Sequence, residues 1–160
     1  MSVIDIKYNF LKPLKNSNLL RLGRNHDGGY IVDSAVINKC STLITFGLGP
    51  DWSFELDAIK RNKNIKIYMY DYSVSSAPYV KDVIKYFRRF LTFRSNYESV
   101  SNRLRYLKEY QDFFKIKNVT FFKEKIAFPV KEKIDVDIDK VFSRIPSEEK
   151  VILKSDIEGS

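Results

Sequence analysis

The chain of 160 residues is 44% hydrophobic and 14% aromatic, which is sufficient for one globular domain with its own core. No apolar run approaches the roughly twenty residues that span a bilayer, the first residues lack the pattern of a secretion signal, and the single cysteine, Cys40, excludes an internal disulfide. We therefore expect a cytoplasmic protein with a buried Cys40 and without a metal centre. The net charge of +8 leaves a phosphate-rich partner open, whether nucleic acid, an anionic lipid surface or a nucleotide-activated substrate.

Residues 1–40 predict an N-terminal extension built on a β-hairpin. Two apolar segments flank a turn that contains Asp27 and Gly28, a pair that favours tight hairpins. His26, the only histidine, lies in the same turn. A polar, exposed side chain is the common role of a turn histidine, and a catalytic base is the alternative.

Residues 43–71 predict a strand, a glycine turn, a helix and a second strand that ends in a carboxylate. Gly47 and Gly49 lack a Cβ, so the backbone can turn sharply and let a ligand approach its amides. Asp71 follows at a distance of about twenty residues, where a carboxylate accepts hydrogen bonds from both hydroxyls of a ribose. The unit predicts a nucleoside-containing ligand, and a purely structural turn is the alternative.

The remaining segments continue the alternation of helices and strands. The pattern predicts helices at about 79–93, 98–115 and 139–144, and extended segments at 119–127, 134–138 and 151–156. Such alternation indicates an α/β fold with a doubly wound, Rossmann-like, mostly parallel sheet, and residues 41–160 would be its cofactor-binding half. Ligands of such sheets bind outside the carboxyl ends of the strands, where Gly47, Asp71 and Asp156 should converge.

The two long helices interleave basic residues with aromatic ones. Rings between arginines stack on bases in proteins that bind single-stranded RNA. Apolar residues also recur there at helical spacing, which favours rings that face a core and arginines that face solvent. Nucleic-acid binding is therefore the weaker hypothesis.

Five stretches of the sequence resemble a known family, the class I S-adenosylmethionine-dependent methyltransferases, and in particular the FkbM-like group. They lie at 27–30, 45–55, 68–71, 134–142 and 152–160. The last is the most specific, because Leu-Lys-Ser-Asp-Ile-Glu-Gly is similar to the family's Leu-Lys-Ile-Asp-x-Glu-Gly strand end. The resemblance implies S-adenosylmethionine as cofactor and O-methylation of a sugar or small-metabolite hydroxyl as activity.

The resemblance also implies site residues. Those around the cofactor are Gly47, Leu48 and Gly49 beneath the methionine part, Asp71, Tyr72 and Ser73 at the ribose, and Lys125 and Ile126 at the adenine. Glu55 would accept from the cofactor's ammonium or cap its own helix. Asp156 and Glu158 would be the catalytic residues near the acceptor hydroxyl, which a carboxylate orients or deprotonates. Alternatively, Asp156 supports the cofactor amine and Glu158 caps the next helix.

The sequence departs from the family pattern at two places and at its end. Thr45 stands where the family's first strand usually ends in an acidic residue, and Asp51 or Trp52 takes the third glycine position. Further strands would follow the Asp-x-Glu-Gly element in the complete fold. We therefore expect the N-terminal part of a longer enzyme, whose fourth strand lies on an open sheet edge that favours self-association. The other functions considered are a catalytically silent binding module, an RNA-binding protein and a nicotinamide-dependent dehydrogenase.

Overall fold

A four-stranded parallel sheet forms the centre of the computed structural model, which describes residues 17–25 and 28–156. Its strands are β3 (Thr42–Phe46), β4 (Lys66–Tyr70), β5 (Val119–Phe122) and β8 (Val151–Ser155). Their spatial order is β5-β4-β3-β8. The chain runs outward from β3 to β5 and returns to β8 on the other side of β3, so the direction of winding reverses there. The predicted α/β class with a parallel sheet is confirmed, and the arrangement is compatible with a Rossmann-like fold.

An antiparallel hairpin precedes the sheet, as the turn predicted. It consists of β1 (Leu19–Leu22) and β2 (Tyr30–Asp33), and a short helix, α1 (Ser34–Lys39), follows directly. The hairpin is tied to the core through its loop, because the Gly23 amide donates to the Asp57 carboxylate at 3.0 Å. His26 and Asp27 lie outside the described residues, so the role of the turn histidine stays a prediction.

The helices flank the sheet or connect its strands. They are α2 (Ser53–Arg61), α3 (Ala77–Leu91), α4 (Tyr97–Phe114) and α5 (Ile138–Phe142). The segment predicted as one extended piece at 119–127 divides into β5 and the short β6 (Lys125–Ile126). β6 pairs in parallel with β7 (Asp135–Val136), because the Lys125 amide donates to the Ile134 carbonyl.

The core lies on both faces of the sheet. Leu43 and Ile44 are adjacent in β3 and point to opposite faces, yet both are fully buried. One face packs against Phe54 of α2, and the other packs against Val141 of α5. Cys40 is buried as expected, and burial raises the pKa of its thiol.

The expectation that the apolar side chains of α3 and α4 face a core is wrong for α3 and holds in part for α4. No residue of α3 is buried, and only Val100 and Phe113 are buried in α4. The reason is the order of packing, since α3 packs mainly against α4, whereas α4 also reaches β5. The periodicity correctly predicts an apolar face on α3, but no element of the described chain covers it.

The edge strand β8 leads to a testable expectation. Among the described residues β8 pairs only with β3, and Leu153 of β8 is a large exposed side chain. An uncovered apolar edge pairs readily with another chain. We expect sedimentation velocity to show a mass that rises with concentration, and Leu153→Lys to weaken this rise. An identical concentration dependence in both proteins would exclude β8 as the associating edge.

Candidate functional site

A cavity of about 600 Å³ opens at the carboxyl end of the parallel sheet. It lies where β3, β4 and β8 end, at the reversal of strand order, which is where open α/β sheets bind ligands. The predicted residues that line it are Gly47, Leu48, Gly49, Asp71, Tyr72, Ser73, Lys125, Ile126 and Asp156. Lining residues that the sequence did not predict are Arg24, Gly28, Pro50, Asp51, Tyr70, Glu124 and Lys154. Glu55 is not among the lining residues, and Glu158 lies outside the described part of the chain.

The glycine turn after β3 adopts a backbone that favours glycine. Gly47 has φ 73° and Gly49 has φ 61°, both in the left-handed region. The Gly47 amide donates to the Tyr70 carbonyl at 3.0 Å, which fixes the turn to β4. A Cβ built on Gly49 would meet no atom within 4 Å, so a ligand can approach the backbone there.

Asp71 organises the floor of the cavity. Its Oδ1 accepts hydrogen bonds from the Ser73 amide at 2.8 Å, the Ser73 hydroxyl at 2.7 Å and the Val74 amide at 3.2 Å. Its Oδ2 accepts from the Gly49 amide at 2.9 Å. Burial by itself would raise the pKa of Asp71, but these bonds outweigh it and hold the pKa below its usual range. Because a carboxylate oxygen has two lone pairs, Oδ2 keeps one acceptor position for a ligand hydroxyl, while Oδ1 is fully used.

Tyr72 and Lys125 come together at the rim of the cavity. The Lys125 ammonium lies 5.8 Å from the centroid of the Tyr72 ring, within the range of a cation–π contact. Tyr72 is about half exposed, so part of its ring is available to a flat ligand group. Two residues predicted for the site, 53 positions apart in the sequence, are therefore neighbours in the structure.

Glu55 neither lines the cavity nor caps its own helix. It is fully buried, and its Oε1 accepts from the Thr45 hydroxyl at 2.9 Å and from the Lys154 ammonium at 3.1 Å. It does not cap α2, whose first amide at Ser53 is bound instead by Asp51 Oδ1 at 2.9 Å. The physical reason is Lys154, because a buried ammonium requires a counter-charge and Glu55 supplies it.

Lys154 is the main site residue that the sequence analysis missed. It lies opposite Thr45 in the β3–β8 register, and its ammonium lies 5.1 Å from the Tyr30 ring centroid and 5.4 Å from that of Phe54. The sequence contained a signal for this pair, because a lysine within a strand of mostly apolar residues requires a buried acid as its partner.

A second charge pair fixes one wall of the cavity. Arg144 binds Glu124 through both guanidinium nitrogens, at 2.5 and 2.9 Å, and its guanidinium lies 4.4 Å from the Phe122 ring centroid. The pair raises the pKa of Arg144 above its usual range. Glu124 lines the cavity with its charge already neutralised.

Asp156 lies at the end of β8. Its amide donates to the Phe46 carbonyl at 2.9 Å, which continues the β3–β8 ladder to the cavity. Asp156 is exposed and lines the cavity together with Gly47.

A comparison with protein-family models, with curated proteins and with solved structures finds no match to this chain. The interpretation of the candidate site is therefore based on its geometry. Within residues 17–25 and 28–156, no helix is long and apolar enough to cross a membrane. The same residues contain no group of three or more histidine, cysteine, aspartate or glutamate side chains that could hold a metal ion.

The charges around the cavity limit the ligands that fit. Two cationic side chains are paired, Lys154 with Glu55 and Arg24 with Asp51 at 3.4 Å. Lys125 is the one lining cation that forms no ion pair within 4 Å in the described part of the chain, and Asp156 is an exposed carboxylate that lines the same cavity. A ligand with hydroxyl groups and a flat ring suits these surroundings.

Proposed function

We propose that the cavity binds S-adenosylmethionine and that the protein is a class I methyltransferase similar to the FkbM-like group. The acceptor is a hydroxyl of a sugar or another small metabolite. The observation that carries the proposal is the cavity formed by the glycine turn and the Asp71 carboxylate, beside a helix whose first amide is bound by Asp51.

The Asp51 carboxylate at the start of α2 argues against a dinucleotide. In nicotinamide-dependent enzymes the pyrophosphate binds at the N-terminus of the helix that follows the glycine turn. Here Asp51 Oδ1 already accepts the hydrogen bond of the first helix amide, at Ser53, so this amide is not free to bind a phosphate. S-adenosylmethionine has no phosphate, and its positive sulfonium suits a cavity with an exposed Asp156.

The residues present fit the other parts of this cofactor. The free acceptor position on Asp71 Oδ2 suits one ribose hydroxyl. The exposed ring of Tyr72, close to Lys125, suits the face of an adenine. The open surface at Gly49 leaves room for the part of the ligand nearest the turn.

The bound cofactor would supply a methyl group activated on a sulfonium. The chain's own contribution is then to orient the acceptor hydroxyl and to take up its proton, and Asp156 is the carboxylate suited to this task. Lys154 acts as a positioning residue, because its pairing with Glu55 anchors β8 two residues before Asp156.

Isothermal titration calorimetry with S-adenosylmethionine and, separately, with reduced nicotinamide dinucleotide tests the proposal. We expect micromolar binding of the first and none of the second. Tyr72→Ala should weaken binding about tenfold, the effect of one lost ring contact. Tyr97→Ala is the matched control, since Tyr97 is an exposed tyrosine outside the cavity and its loss should not change the affinity.

The outcomes separate the competing functions. Binding of the dinucleotide alone would replace the methyltransferase by a dehydrogenase. Binding of S-adenosylmethionine without methyl transfer to any of a panel of sugars would favour a catalytically silent binding module. Absence of binding to either compound would contradict the proposal.

A further inference from the structure

Helix α3 carries a continuous apolar stripe on its surface. Val80, Ile84, Phe87 and Leu91 follow one another at intervals of four, three and four residues, which places them on one line along the helix. Between 39% and 62% of each residue is exposed. A helix of this length extends about 22 Å, so the stripe is long enough to be a docking surface.

A different flank of α3 is the one that packs against α4. Tyr86 lies 4.6 Å from the Arg103 guanidinium of α4, and Asp82 forms an ion pair with the same arginine at 4.0 Å. Tyr79 contacts the Tyr110 ring at 4.9 Å. These contacts hold α3 against α4 and leave the stripe uncovered in the part of the chain that the structure describes.

Basic side chains accompany the stripe. The charged residues of α3 are Lys81, Asp82, Lys85, Arg88 and Arg89, an excess of three positive charges. Directly after the helix, Phe93 is 97% exposed at φ 57°, and Arg94 follows it. The apolar stripe and the apolar tip therefore both have cationic neighbours.

We propose that α3 binds the surface of an anionic membrane. The helix lies in the interface, the stripe enters the boundary between headgroups and acyl chains, and the lysines and arginines contact lipid phosphates and carboxylates. Long cationic side chains reach the headgroups while their stems lie along the apolar surface.

The composition of the stripe favours lipid over the two other partners. Bases stack on aromatic rings, but Phe87 is the one aromatic residue among the four of the stripe, so RNA gains little from this face. A second copy of the chain would bring the same positive charge against it, and like charges across an interface repel. An anionic lipid surface complements both the apolar side chains and their charge.

Cosedimentation of the full chain with vesicles tests the inference. We expect binding to vesicles of phosphatidylcholine mixed with phosphatidylserine, weaker binding at higher salt, and little binding to phosphatidylcholine alone. The double variant Phe87→Ser/Leu91→Ser should partition at least about tenfold less strongly, since two large apolar groups are lost.

The matched control is Ile31→Ser/Phe128→Ser. It removes one aliphatic and one aromatic side chain that are also strongly exposed but lie outside α3, so it should bind vesicles like the unaltered chain. Both pairs are exposed, and thermal unfolding should show similar midpoints for the two variants.

Three results would overturn the inference. The first is an absence of binding to the mixed vesicles, and the second is equal binding by the α3 variant. The third is that α3 binds another partner instead of lipid. In that case the unaltered chain would bind single-stranded RNA or form a concentration-dependent dimer, the α3 variant would lose this interaction, and neither protein would bind vesicles. None of these results depends on whether the cavity binds S-adenosylmethionine.

Discussion

Replacing Lys154 by methionine should lower the free energy of unfolding by about 3–5 kcal/mol, the usual cost of removing one partner from a buried ion pair. The Lys154 ammonium and the Glu55 carboxylate are 3.1 Å apart, and both side chains are almost completely shielded from solvent. The variant leaves Glu55 with the Thr45 hydroxyl as its remaining partner. Urea unfolding at neutral pH measures the loss.

Lys66→Met is the matched control for this variant. Lys66 belongs to the same sheet and is paired with Glu149, but its side chain is half exposed. Exposed ion pairs contribute about 0–1 kcal/mol, so this substitution should have a small effect. The double variant Glu55→Gln/Lys154→Met removes both buried charges and should cost clearly less than the two single substitutions together. Equal losses in Lys154→Met and Lys66→Met would show that the buried pair does not stabilise the sheet.

Replacing Asp71 by asparagine should both destabilise the protein and abolish binding of S-adenosylmethionine. Asp71 accepts four hydrogen bonds, and an amide group would place a donor against one of the N–H donors that it now binds. We expect a loss of about 2–4 kcal/mol in the free energy of unfolding. Asp112→Asn in α4 is the control, because this exposed carboxylate should change stability by less than about 0.5 kcal/mol. Unchanged affinity for S-adenosylmethionine in the folded Asp71 variant would remove the main support for the proposed site.

The dependence of the unfolding free energy on pH tests whether the charge of Asp71 causes the loss of stability in Asp71→Asn. Its pKa is lowered in the folded state, so its stabilising contribution is complete above the ordinary aspartate pKa of about 3.9 and is lost as the pH falls through the folded value. The difference in unfolding free energy between the unaltered chain and Asp71→Asn should be constant from about pH 7 to 5 and shrink below about pH 4. A difference that does not change with pH would assign the loss to packing instead.

The sheet and the position of the cavity could be predicted from local patterns. Gly47 and Asp71 each follow an apolar strand, and parallel strands bring their carboxyl ends to one side of a sheet. The convergence of these residues with Asp156 therefore required no knowledge of individual contacts.

The contacts inside the site could not be predicted in the same way. The pairing of Glu55 with Lys154 depends on the register of β3 and β8 and on the rotation of α2, which no local pattern specifies. Arg144 and Glu124 come from two separate loops for the same reason. For α3, the periodicity predicts an apolar face but does not indicate what covers that face.

The most direct test of the central claim is an amide correlation spectrum of the isotope-labelled chain during titration with S-adenosylmethionine. We predict that the signals of Gly47, Gly49, Ser73 and Lys125 shift with one common dissociation constant, because these amides surround the cavity. The signals of Ile84 and Leu91 on α3 should stay unchanged, since the helix lies outside the cavity. A saturating ligand concentration that leaves the four cavity amides unperturbed would contradict the proposed cofactor site.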